Sequence, residues 1–319
     1  MKNLSKKVSL VLIISLIMLL PLTGFAVTGG NNTEKPTELG KIGRDKLIKM
    51  TLKEHETLSF EELSKQEGSI TYNEYYLLKK LKKKTNKELK EKGYTDKKIK
   101  EIKEFDFAKK VKKLSKKSVK ELSKIGYNHE RIEAIKSVEN IETNEISDVT
   151  LATVGSNVTI NLTGNNYEKT GTYGDGETSI YLKAVWAWDW FPSCQGTDIV
   201  AAIWGKDFNC DVSESFTIVT EKDYLGNIGP TDTVYIEDKK PNTAAYYHID
   251  IPDGNAWCFG TSWFRLYNND SGISSFEAKA AYGHSIITGT PSVSFPSALS
   301  ISFNKDTIEM DSDPEEFVY

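Results

Sequence analysis

Residues 179–190 read Ser-Ile-Tyr-Leu-Lys-Ala-Val-Trp-Ala-Trp-Asp-Trp. The even positions carry Ile180, Leu182, Ala184, Trp186, Trp188 and Trp190, and the odd ones include Ser179, Lys183 and Asp189. A two-residue rhythm puts successive side chains on opposite faces, so the stretch predicts a β-strand with one face made for burial. The same texture runs through the C-terminal half, where short alternating runs are separated by Gly, Asn, Asp and Pro clusters. Strands are expected at 150–154, 157–163, 179–190, 198–205, 214–220, 232–237, 244–251, 257–267, 274–284, 292–295 and 299–304. Many short strands with turn signals between them predict an all-β sandwich over residues 150–306. All six tryptophans fall within it.

Upstream the rhythm becomes helical. Residues 85–103 (TNKELKEKGYTDKKIKEIK) and 118–136 (SVKELSKIGYNHERIEAIK) align at a constant offset of 33. Thr85 with Glu88, and Ser118 with Glu121, have the spacing of capping boxes. Gly93 and Gly126 stand where a helix would end in the left-handed conformation. Thr95 and Asn128 would cap the next helix, and Ile99/Ile102 and Ile132/Ile135 share one face. A looser earlier copy starts at Ser59 and Glu62, breaks at Gly68, and places Tyr75 and Leu78 at the isoleucine positions. These copies predict an all-α array of helix-turn-helix repeats over residues 46–142, stacked on one another. Residues 27–45 and 143–149 read as linkers and 307–319 as an acidic tail. The expected fold is therefore two-part: N-terminal all-α repeats followed by a C-terminal all-β sandwich.

The first 26 residues resemble an export signal. Lys2, Lys6 and Lys7 precede the apolar run 8–20, and Gly24-Phe25-Ala26 offers a cleavage site. The run is shorter than the roughly 20 apolar residues a membrane span needs, so no integral span is expected after cleavage. The net charge of −4 conceals a division. Residues 1–150 carry 32 Lys and Arg against 22 acids, and residues 151–319 carry 9 against 23. Within residues 79–124, 20 lysines face 7 acids. Such a surface suits a polyanion. In a secreted protein that means an anionic cell-envelope polymer or glycan. Nucleic acid is not expected, because the region is nearly without arginine and has no groove-reading motif.

The repeated KEL-x3-GY-x4-I-x2-IK units, with AVWAWDWFP and TDIVAAIW further on, resemble segments of a loosely defined group of secreted proteins of Gram-positive bacteria. The resemblance implies secretion and a two-part build. It carries no catalytic or binding residues with it.

Chemistry is sparse. GxSxG, HExxH, phosphate-cradling glycine loops and Cys-x-x-Cys spacings are all lacking. His248 with Asp250 is an i, i+2 pair on one strand face and reads more readily as a surface pair than as a base. No cofactor is expected. The acidic loops 174–177 and 268–270 could offer oxygens to calcium, without an EF-hand pattern. Aromatic residues in strands serve first as core. The sharper reading makes Trp190 and Phe191, with Tyr246 and Trp263, a half-wet ligand-binding platform. Of three cysteines, Cys194 and Cys210 flank an expected strand and would lie too far apart to bond. Cys258 is the expected partner of either, Cys210–Cys258 being favoured, with three unbridged thiols as the alternative. The leading expectation is a secreted, non-enzymatic binding protein with a β-sandwich recognition domain. A membrane-active toxin or pore-former, using residues 149–163 as a hairpin, is one alternative. A secreted polysaccharide hydrolase is the other.

Overall fold

The chain was described in a computed structural model, which covers residues 43–318 apart from 92–93, 169–177, 191, 193–196, 206–207, 224–226, 237, 241–242, 252–255, 270–272, 274, 286–291, 298–299, 305–306 and 312–314. The expected export signal, most of the expected 27–45 linker, Gly93, Phe191, Cys194 and the 174–177 loop lie outside the described residues.

The helical segments are α1 (Arg44–His55), α2 (Phe60–Leu63), α3 (Glu74–Lys83), α4 (Asn86–Glu91), α5 (Asp96–Glu104), α6 (Phe107–Ser115), α7 (Val119–Lys124), α8 (His129–Ser137) and α9 (Asp148–Val154). Their starts follow local capping chemistry. Asn73 accepts from the Tyr75 amide, Asp106 from Lys109 and Asn128 from Arg131. Ser118 and Glu121 form a full capping box. Gly126 ends α7 at φ 94°, in the left-handed region where a Cβ is disfavoured.

Strands β1 (Ile70–Asn73), β2 (Asn157–Glu168), β3 (Thr178–Trp188), β9 (Ala256–Asn268), β5 (Asn209–Asp223) and β6 (Ile228–Tyr235) form one antiparallel sheet, in the order β1-β2-β3-β9-β5-β6. The second sheet runs β13 (Thr307–Asp311), β10 (Ser275–Ser285), β4 (Thr197–Trp204), β8 (Ala244–Asp250) and β7 (Asp238–Lys240). Strand β14 (Glu315–Val318) pairs with β10 along the same edge as β13. Strands β11 (Ser292–Ser297) and β12 (Ser300–Asn304) make a separate ribbon.

The two large sheets pack face to face. The even residues of β3 do what their alternation predicts. Ile180, Leu182, Ala184, Trp186 and Trp188 sit in the inter-sheet core with Val200, Ala202, Trp204, Tyr247, Phe264 and Tyr282. The odd face is covered as well. Leu47 of α1 packs on Tyr181, Phe216, Ile218 and Trp263, and Leu63 of α2 packs on Val185, Ala187 and Phe259.

Gly260 shows how tight the fit is. It lies opposite Trp186 on β3 and Val219 on β5. An added Cβ would come within 2.5 Å of Trp186 Cζ2 and 2.7 Å of the Ile218 carbonyl oxygen. Neither neighbour is a flexible side-chain end. Gly260→Ala should destabilise the fold by about 2 kcal/mol, measured by urea unfolding. Unchanged stability would mean the indole has room to move.

The two-part, all-α then all-β architecture does not form. Strand β1 lies inside the segment expected to be helical, and it pairs with β2 from Ile70↔Ile160 to Asn73↔Asn157. Helix α9 replaces the strand expected at 150–154. The β-branched residues there are overridden by the Ser147 cap, which accepts from the Thr150 amide, and by burial of Leu151 and Val154. The capping box at Ser59 opens only the single turn of α2, which lies on the first sheet. Ile146 is buried in the stretch read as a linker, and the acidic tail contributes β13 and β14. One apolar cluster runs from Tyr75 of α3 through Ile132 of α8 to Trp188 and Tyr282.

Candidate functional site

Several lysines of α3–α8 pair with carboxylates, as Lys90 does with Asp96 at 2.8 Å, and two further sets stand out. One set closes helix ends. Lys103 donates to the carbonyls of Lys82 (2.5 Å) and Lys84. Lys136, 33 residues on, donates to those of Ser115 (2.6 Å) and Lys117 (3.3 Å). Lys82 reaches Phe105 O at 2.6 Å, and Lys112 reaches the carbonyls of Val138, Glu139 and Ile141. These ammonium groups satisfy carbonyls that a helix C-terminus leaves open.

The other set faces water. Lys113, Lys116, Lys117, Lys120 and Lys124 are exposed on the end of α6 and on α7. Among the described residues no carboxylate comes within ion-pair distance of them. The field of Glu121 reaches Lys117 and Lys124, but its carboxylate is held by the Ser118 amide at 2.7 Å and hydroxyl at 2.6 Å. Those bonds, the hydroxyl first, hold Glu121 below the usual carboxylate range.

A cavity of about 310 Å³ lies between α3, the start of α6 and α9. Tyr75 and Leu78 of α3, Phe105, Phe107 and Ala108 at the start of α6, and Leu151 of α9 supply apolar walls, with Lys79, Lys82, Lys83 and Asp106 at the rim. The rim carboxylates are engaged. Asp106 caps α6 through the Lys109 amide at 2.9 Å and pairs with the Lys109 ammonium at 3.3 Å. Burial pushes Asp106 upward, but these bonds bring it below its ordinary value. Asp148, just behind the rim, binds Lys79 and accepts from the Tyr75 hydroxyl at 2.5 Å. The Lys79 bond, followed by that of Tyr75, lowers its carboxyl.

A second cavity, of about 360 Å³, lies between α1–α2 and the first sheet. At its inner end His55 is pinned between Thr220 Oγ1 (2.8 Å) and Thr261 Oγ1 (2.9 Å). Burial, then the nearby Lys183 charge, pushes the imidazole down to about 4. It is therefore neutral at physiological pH, and its two hydroxyl bonds hold α1 on the sheet. Lys183 pairs with Glu54 at 2.5 Å at the mouth.

Two carboxylate constellations are buried away from solvent. His284 Nδ1 lies 3.1 Å from both Asp198 oxygens, and its Nε2 lies 3.8 Å from Glu74 Oε1. Tyr282 donates to Asp198 at 2.7 Å and accepts from Trp188 Nε1 at 2.9 Å. Burial alone would lower His284, but Asp198 and Glu74 raise it to about 9, so it is an imidazolium at neutral pH. The second is an ion pair, Arg131–Asp189, at 2.9 Å. Both pairs join the helices to the sandwich.

Of the four residues of the expected aromatic platform, Trp190, Trp263 and Tyr246 are buried, and Phe191 lies outside the described residues. Trp190 is 5% exposed, with Tyr127 packed against it at 5.6 Å and the Arg131 guanidinium over its ring. Trp263 is 4% exposed beneath α1 and donates to Thr51 Oγ1 at 2.9 Å. Tyr246 is 9% exposed, its ring edge-on to His248. Trp190 and Trp263 are covered by helices that the sequence assigned to a separate module, whereas Tyr246 packs among strands of its own sheet. Cys210 and Cys258 stand as thiols and are not joined. They occupy neighbouring strands, but Cys210 lies opposite Leu266, eight residues along β9 from Cys258. That is about 26 Å of strand, far beyond bonding reach. The segment 149–163 is divided between α9 and β2, an interior strand of its sheet. Asp250 accepts from Thr197 Oγ1 at 2.7 Å. Among the described residues no group of three or more His, Cys, Asp and Glu could hold a metal, and no helix is long and apolar enough to cross a membrane. Sequence reading missed the carbonyl-capping role of Lys103 and Lys136, although their 33-residue spacing was visible in the alignment.

No protein-family model matches the chain, and no curated protein matches it. Similar solved structures include the collagen-binding domain of a Staphylococcus aureus adhesin, 6% identical over 47% of this chain and 93% of that one, with a TM-score of 0.24. The collagen-binding subdomain of the Enterococcus faecalis surface protein ACE is 11% identical over 46% and 88%, at 0.24. The collagen-binding domain of an Erysipelothrix rhusiopathiae surface protein is 13% identical over 49% and 47%, at 0.25. Likeness at these scores carries no ligand or partner across.

Proposed function

We propose that this chain is a secreted, non-enzymatic binding protein whose lysine-rich helical face engages an anionic polymer of the cell envelope. The observation that supports it is the sorting of the lysines. Where Lys82, Lys103, Lys112 and Lys136 are used to close helices, Lys113, Lys116, Lys117, Lys120 and Lys124 leave five ammonium groups in twelve residues facing water. Clustered charge of one sign raises the local concentration of a polyanion and strengthens each contact. With Trp190, Trp263 and Tyr246 buried, a glycan read through stacking on those rings loses its support, and charge is what the helical face offers.

The test uses the whole chain, because the helices share their core with the sandwich. Binding to polyglycerolphosphate is expected at 50 mM salt and should fall steeply at 300 mM, as exposed pairs are screened. Replacing the five lysines together with glutamine removes about 0.3 kcal/mol per contact, about 1.5 kcal/mol in all, or roughly tenfold in affinity. Binding that ignores salt, or survives the fivefold replacement, would remove this role.

A further inference from the structure

We infer that the cavity between α3, the start of α6 and α9 is a binding site for a single-chain anionic amphiphile: a carboxylate on an acyl chain. This goes beyond the polymer reading and does not depend on it. The walls are apolar and aromatic, from Tyr75, Leu78, Phe105, Phe107, Ala108 and Leu151. The volume, about 310 Å³, falls at the small end of the range for small-molecule sites.

The charge at the mouth decides what kind of molecule fits. Lys79, Lys82, Lys83 and Asp106 line it, and each of two further charges pairs with one of them: Asp148 with Lys79, and Lys109 with Asp106. Asp148 is held by Lys79 and Tyr75, and Asp106 by Lys109 and its capping bond. Lys82 has a neutral carbonyl as its hydrogen-bond partner and acts on Asp106 only through space, without an ion pair. Lys83 is exposed at the rim, and among the described residues no carboxylate reaches it within ion-pair distance. Two positive charges therefore remain over an apolar pocket. An uncharged lipid would use only the walls, and a small anion only the rim. A chain with an anionic end uses both.

Titration of the whole chain with decanoate, by calorimetry, should show one saturable site. Decanol and acetate should each bind at least tenfold more weakly. Ala108→Phe, which fills the cavity from α6, should weaken decanoate at least tenfold. Lys83→Gln, at an exposed position with no structural bond, should weaken it severalfold and leave decanol unchanged. If Ala108→Phe does not fold, Lys83→Gln and the decanol comparison still decide. The fivefold glutamine variant of α6–α7 should keep decanoate affinity, which separates this site from the polymer surface. Equal binding of decanol and decanoate, no saturable decanoate binding, or binding to phosphatidylglycerol vesicles without binding to free decanoate would each overturn the assignment.

Discussion

Arg131→Ala should cost the fold about 3–5 kcal/mol at neutral pH. The guanidinium is 8% exposed and its partner carboxylate 14%. Asp189 also accepts from the Asn157 amide at 2.8 Å and from its side-chain nitrogen at 2.5 Å. Those bonds and Arg131 oppose the effect of burial, yet burial wins and Asp189 sits above its ordinary value. Removing the cation leaves a desolvated carboxylate with neutral donors only. It also strips the cover from the Trp190 ring and the bond to Gly155 O. The sign of the pH dependence follows. A buried acid with a raised value favours folding when protonated, so stability falls as pH rises through its titration. Without Arg131 that titration moves further up. The penalty should therefore be full at pH 7 and shrink toward pH 4, where Asp189 takes up a proton in the variant. Urea unfolding at both pH values measures it. Arg131→Leu combined with Asp189→Leu should recover most of the loss, since a buried pair replaced by apolar residues is often neutral. A penalty below about 1 kcal/mol, or one that does not change with pH, would show that the pair contributes little to docking.

The same pair shows what sequence could and could not reveal. The alternation of residues 179–190, the Ser118 capping box and the Gly126 helix end are local signals, and each is where its spacing put it. Nearly all the strands from 157 to 304 were readable for the same reason. What escaped is non-local. Strand β1 has four residues, too few for a period, and exists because β2 offers it a free edge. The alternation marked only the even face of β3 for burial, and that Tyr181, Val185 and Ala187 on the odd face lie beneath α1 and α2 depends on non-local packing. Arg131 occupies the position that holds Lys98 in the preceding copy, and only its distance from Asp189 shows why the second copy has a guanidinium. The lysines of the candidate site were all visible as charge. Which of them close helices depends on carbonyls some 20 to 30 residues away and could not be sorted from composition.

Stability should peak near pH 6.5, because the two buried histidines titrate in opposite directions. His284 is raised to about 9 when folded, against 6.5 in an unfolded chain. A raised base stabilises fully below its unfolded value and loses that contribution as pH climbs through the folded one. The difference is worth about 3 kcal/mol, lost between about pH 6.5 and 9. His55 is lowered to about 4. Unfolding lets it take up a proton that the folded state refuses, so stability falls as pH drops from 6.5 toward 4, again by about 3 kcal/mol. Asp189 softens the acid limb, since its raised carboxyl favours the folded state when protonated. Cys258 and Tyr282 are also raised by burial, but their ordinary values of 9.0 and 10.0 place their effect beyond the alkaline limb. The variants separate the limbs. His55→Gln should flatten the acid side. His284→Asn leaves Asp198 and Glu74 facing each other without a cation, so it should cost about 3 kcal/mol or more at pH 6.5. That penalty should diminish by pH 9.5, where the native imidazole is itself neutral. Denaturant unfolding followed by the fluorescence of buried Trp186, Trp188 and Trp204 reads all of this. An alkaline limb of the same size in His284→Asn would assign it to other groups, and would leave the Glu74–His284–Asp198 contact as packing without a charge.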